Sequence, residues 1–85
     1  MKPLEPPSLE QIRAAAERIH GVALRTPLMP LCGHAGDARI LLKLENLQPN
    51  GSFKIRGATN ALACADPAAL ERGVVTASAG NFAQG

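Results

Sequence analysis

The sequence predicts an α/β chain: a parallel sheet with helices on both faces, incomplete within these 85 residues. Three observations carry that expectation. An amphipathic segment opens the chain, "ARILLKLE" and "GVVTAS" are short apolar runs of strand length, and each run is followed by a glycine turn and a helix start. Strands that alternate with helices imply parallel pairing with both faces covered. Only two strands and the first residues of the next helix are present, so both strands are short of neighbours. There is no internal repeat and no low-complexity segment.

The elements follow in order. Residues 1–7 are rich in proline and read as an extended arm. Ser8 caps a helix, with Gln11 three residues on as in a capping box, and Leu9, Ile12, Ala16 and Ile19 share one face up to His20. Gly21 supplies the stop. His20, in the last turn, suits a helix-dipole partner better than a metal ligand, because no second ligand lies near it in sequence. "RTPLMPL" holds two prolines and predicts an extended connector. "ARILLKLE" predicts a strand buried on both faces, and "LQPNGS" a turn. "SFKIRGATNALACA" predicts a helix capped by Ser52, with Ile55, Thr59, Leu62 and Ala63 on or near one side. Asp66 and Pro67 are a cap and a first-turn proline for a short helix ending near Gly73. "GVVTASAGN" then predicts strand, turn and a further helix start.

Composition narrows the function. The chain is 46% hydrophobic, yet burial at this length is marginal, and a large catalytic cleft does not fit inside it. Nine basic and seven acidic residues are spread without a run, and two phenylalanines are too few for stacking platforms, so nucleic acid is a poor partner. No apolar stretch has signal-peptide or membrane-spanning length, which makes a cytoplasmic protein the expectation. Cys32 and Cys64 fit no metal or redox spacing and read as reduced and packed.

One cation stands out. Lys54 falls in the first turn of its helix, where the macrodipole and the free N–H groups disfavour a further positive charge and so favour the nucleophilic, unprotonated amine. Phe53 sets an apolar ring beside it. A solvated surface lysine is the blander reading and, from chemistry alone, the preferred one. A phosphate-binding Walker loop is excluded, since "PNGSFKIRGAT" lacks both its first glycine and the hydroxyl after the lysine. In the second turn, "SAGN" aims backbone N–H groups and the Ser78 hydroxyl outward, which suits a carboxylate, although an ordinary strand-to-helix turn has the same composition. In open parallel sheets, ligands gather at the carboxyl ends of strands, where these two turns could face one cleft.

Together, "KLENLQPNGSFKIRGA" and "TASAGNFAQG" resemble two blocks of the fold-type II (tryptophan synthase β-like) pyridoxal-phosphate enzymes, in particular the serine/threonine dehydratases, or threonine ammonia-lyases. The likeness runs from "RTPL" to Gly85, spacing included. It implies pyridoxal 5'-phosphate as cofactor, an amino acid as substrate and a homo-oligomeric full-length enzyme. Lys54 matches the lysine that holds the cofactor and afterwards acts as the base at Cα. Phe53 matches the residue beside the pyridine ring, and Asn81 the asparagine that hydrogen-bonds the cofactor's 3'-oxygen. Ser78, Gly80 and Asn81 match the loop that grips the substrate carboxylate, while Glu45 and Asn46 would support the lysine turn. The implied reaction removes water from serine or threonine and yields a 2-oxo acid and ammonia.

Two positions bear on the branch. Racemases of this group place a serine before the glycine-asparagine pair, where this chain has Ala79, so elimination is expected to outweigh racemisation. The family usually has histidine where this chain has Phe82, which leaves another β-hydroxy amino acid open as substrate. The resemblance makes residues 8–85 the start of a catalytic region, with the phosphate cup beyond Gly85, and the piece alone inactive. The rival reading is a truncated remnant that serves as a binding module, pairing through an open sheet edge.

Overall fold

The computed structural model describes residues 2–33, 36 and 39–85. Met1 of the expected arm and Ala38, the first residue of the expected strand, lie outside them.

Local signals set the first helix. In α1 (Leu9–Ile19) the Ser8 hydroxyl accepts from the Gln11 backbone N–H at 3.1 Å, and the Gln11 side chain accepts from the Ser8 N–H at 2.8 Å. Both halves of the capping box are therefore made, satisfying two of the free donors of the first turn. Gly21, at φ +87°, takes the left-handed conformation that turns the chain out of the helix. The apolar stripe is only partly used: Ile19 is half-buried, while Leu9 and Ile12 remain exposed.

The middle of the chain departs from expectation. "RTPLMPL" is more than a connector, because Leu28–Pro30 forms strand β1 and pairs antiparallel with β2 (Leu41–Lys43), with Met29 opposite Leu42. Among the described residues this two-stranded antiparallel ribbon is the whole sheet, not a parallel one. The reason is proximity: ten residues separate β1 from β2, fewer than the dozen or more that the crossover of a parallel pair needs. Leu41 and Leu42 are also exposed, so the strand expected to be buried on both faces is covered on neither. "GVVT" is not a strand at all. Val74 is 64% exposed and Val75 fully so, and among the described residues no neighbouring strand takes up the backbone donors and acceptors of this run.

A single 3₁₀ turn, Glu45–Leu47, leads from β2 to helix α2 (Lys54–Cys64). The short helix α3 (Pro67–Leu70) starts as expected, with the Asp66 carboxylate accepting from the Ala68 N–H at 3.1 Å and Pro67 in the first turn. Asn81–Gln84 forms α4. Helix α2 is the hub, packed against α1 on one side and α4 on another, and Arg18 Nε donates to Asn60 Oδ1 at 2.7 Å across the first of these contacts. The apolar core is correspondingly small, with Ile55 and Ala58 of α2 buried. A radius of gyration of 16.5 Å confirms an open arrangement, since a compact chain of this length measures about 12 Å. Cys32 and Cys64 are free thiols but exposed rather than packed, because so little interior exists to receive them.

Candidate active site

Lys54 is the first residue of α2, and a series of nested turns delivers it there. The Gly51 N–H donates to the Gln48 carbonyl at 2.7 Å, and Gly51 itself sits at φ +75°, a conformation that penalises any side chain. Asn50 Oδ1 then accepts from the Ser52 N–H at 3.3 Å, and Ser52 Oγ from the Lys54 N–H at 3.2 Å. Ser52 thus satisfies the free N–H of the first residue of α2, the bond expected of a capping serine. Phe53, between them, is already helical in φ and ψ and makes no side-chain capping bond of its own.

The Lys54 side chain is exposed, with Nζ 5.1 Å from the centroid of the Phe53 ring, and that ring is 58% exposed. An amine and an aromatic face are thereby offered together to solvent. The second turn lies against the first. Asn50 Nδ2 donates to the Asn81 carbonyl at 3.3 Å, and α4 packs on α2. Ser78 Oγ accepts from the Gly80 N–H at 3.1 Å, which leaves its own proton available to a ligand. Gly80 precedes α4 as its cap and Asn81 is the first helical residue, while Phe82 is partly exposed. The structure therefore brings Phe53, Lys54 and the Ser78 to Asn81 turn into one neighbourhood. No strand leads into the second turn, so the two do not share the rim of one parallel sheet, and the link is the Asn50 side chain instead.

A second constellation underlies the lysine turn. Glu45 Oε1 accepts from Arg56 Nε, while Oε2 accepts from the Thr26 hydroxyl, from Gln48 Nε2 at 3.2 Å and from Arg56 Nη2 at 3.1 Å. The Gln48 amide grips Leu24 on both backbone groups, accepting from its N–H at 2.8 Å and donating to its carbonyl at 2.7 Å. Arg56 Nη2 donates to the same carbonyl at 3.0 Å, and Lys43 Nζ donates to the Thr26 carbonyl. Thr26 and Gln48 are both buried. The Arg56 guanidinium above all, aided by Thr26 and Gln48 and opposed by burial, lowers the Glu45 carboxyl from 4.5 to about 2, and the same pairing raises Arg56. The sequence suggested Glu45 as support for the turn, but not its partners. A cation two residues after Lys54, with a carboxylate eleven residues before that cation, was the available signal. Asn46 takes its place in the 3₁₀ turn with no side-chain bond at this site among the described residues.

Among the described residues no cluster of metal-ligating side chains occurs, and no helix is long and apolar enough to cross a membrane.

Residues 19–85 match the family model for pyridoxal-phosphate dependent enzymes. This chain belongs to that family. It is 48% identical over 81 residues to an L-threo-3-hydroxyaspartate ammonia-lyase of Pseudomonas, covering 92% of this chain and 25% of the relative. An L-threonine ammonia-lyase of Thermotoga maritima is 46% identical over 80 residues, covering 92% and 20% of the two chains. A serine racemase of Dictyostelium discoideum is 38% identical over 86 residues, covering 99% and 26%. The chain thus spans about a quarter or less of the length of these relatives. No solved structure gives a significant match. The family's cofactor is pyridoxal phosphate, and the groups present are chemically suited to an aromatic aldehyde: Lys54 offers an exposed amine and Phe53 an exposed ring face beside it.

Proposed function

We propose that this chain carries the reactive lysine of an ammonia-lyase that removes water from β-hydroxy amino acids. The observation that carries the reading is the exposed Lys54 amine at a helix start beside the Phe53 ring, with the Ser78 to Asn81 turn tied to the same loop through Asn50. Phe53 would lie against the cofactor ring and Asn81 would hydrogen-bond it, while Ser78, Gly80 and Asn81 would hold the substrate carboxylate by hydroxyl and backbone donors. Pyridoxal phosphate, when bound, supplies the electron sink for charge that develops at Cα. Lys54, unprotonated, removes the Cα proton, and the β-hydroxyl leaves with a proton as water. The resulting enamine hydrolyses to a 2-oxo acid and ammonia, pyruvate from serine and 2-oxobutyrate from threonine.

The ammonia-lyase names of two relatives support elimination, and the 3-hydroxyaspartate relative supports extending the substrate class to a β-hydroxy dicarboxylate. Racemisation is less well supported, because Ala79 has no hydroxyl to return a proton from the opposite face. A cytoplasmic location and a homo-oligomer of the full-length enzyme belong to the same proposal. The test is chemical. Borohydride reduction of the full-length protein with pyridoxal phosphate, followed by peptide mass mapping, places a pyridoxyl mark on Lys54, and Lys54→Ala removes both the mark and 2-oxo acid formation. A mark on another lysine, or undiminished 2-oxo acid production by Lys54→Ala, refutes the assignment.

A further inference from the structure

The Glu45 constellation does more than hold two loops together. An α-helix turns about 100° per residue, which places Arg56 about 200° around α2 from Lys54. One face of the first turn is therefore pinned while the opposite face presents the amine. Arg56 ties the pinned face to two residues remote in sequence, Glu45 and Leu24, which are themselves held by Gln48 and Thr26. Arg56 bonds both Glu45 oxygens and the Leu24 carbonyl, Gln48 takes both backbone groups of Leu24, and the Thr26 hydroxyl reaches Glu45. The next residues continue the grip, since the Leu44 N–H donates to the Pro27 carbonyl at 3.1 Å and Leu28 stands opposite Lys43 in the ribbon. The connector, the ribbon, the 3₁₀ turn and the start of α2 thus form one hydrogen-bonded unit. Both oxygens of the carboxylate accept from donors of that unit, Oε1 from Arg56 Nε and Oε2 from Thr26, Gln48 and Arg56 Nη2.

On the reading of Lys54 as the cofactor lysine, we propose that Glu45, Arg56, Gln48 and Thr26 form a positioning lock that sets the direction in which the Lys54 amine leaves the helix. None of the four touches the reacting atoms; they act through the first turn of α2. A planar guanidinium is required, because its fork meets both carboxylate oxygens and the Leu24 carbonyl at once, which a lysine ammonium cannot do.

The experiment measures the rate of borohydride-trapped pyridoxyl labelling at Lys54 in the full-length protein, normalised to the folded fraction from circular dichroism. Glu45→Gln and Arg56→Lys are expected to retain helix content and to slow labelling about tenfold or more, as displacement of a reacting group by an ångström or less does. Thr26→Val keeps its side-chain shape, removes one donor and is expected to slow labelling by a smaller factor. It carries the test where Glu45→Gln does not fold. Labelling at the unaltered rate in folded Glu45→Gln or in Thr26→Val, with stability alone reduced, overturns the lock. Absence of any label in the unaltered protein overturns the Lys54 assignment and the lock with it, an outcome distinct from a label that the variants leave unchanged.

Discussion

Protonating Glu45 is the sharpest perturbation the structure offers. Its carboxyl lies at about 2 in the folded chain and at 4.5 ordinarily. A group whose folded value is depressed contributes stability that is fully present above 4.5 and is lost as the pH falls through about 2. At about 1.4 kcal/mol per pH unit the displacement bounds the contribution at about 3.5 kcal/mol. Arg56 is 34% exposed in its side chain, so water screens the pair, and a contribution of about 1–2 kcal/mol is the expectation. Urea unfolding followed by far-ultraviolet circular dichroism is the assay, since the chain has neither tryptophan nor tyrosine to report by fluorescence. Unaltered protein and Glu45→Gln are compared from neutral pH downward. The unaltered protein is expected to be the more stable by that amount at neutral pH, and the difference is expected to vanish as the acid is protonated. A difference that stays flat through the acid range, or a Glu45→Gln variant that is the more stable at neutral pH, would show that the ionised carboxylate does not hold the turn.

Two further perturbations probe the elements on either side. Ser8→Ala removes one half of the capping box of α1 and is expected to cost about 1 kcal/mol in the same urea assay, with faster amide exchange confined to the first turn of α1. Gly51→Ala meets no atom within 4 Å of its new Cβ, so its expected cost of about 1–2 kcal/mol comes from the left-handed backbone alone. Stability equal to that of the unaltered protein would show that the turn before Lys54 relaxes to another shape.

Much of the local structure was legible in the chain because its causes lie within four residues. Ser8 with Gln11, Asp66 with Pro67, and the glycines at 21 and 51 each satisfy or reshape their own backbone, and the structure places them where the pattern does. Ser52 belongs with them, since its hydroxyl accepts from the N–H of Lys54, two residues on. The strands were harder, because an apolar run states that backbone must be paired without naming the partner. Leu41 to Lys43 found Leu28 to Pro30, and Val74 to Thr76 found no strand to pair with among the described residues.

The sequence by itself determined the family, the cofactor and the helix starts, since these depend on which residue types stand at fixed short spacings. Only the tertiary structure decided that the ribbon is antiparallel, that Asn50 ties the two site turns together, and that Arg56 and Thr26 converge on Glu45. Those contacts join residues 11 to 31 positions apart, and a hydrogen bond acts over about 3 Å. Whether two such groups meet depends on the path of all the backbone between them, which no local pattern encodes.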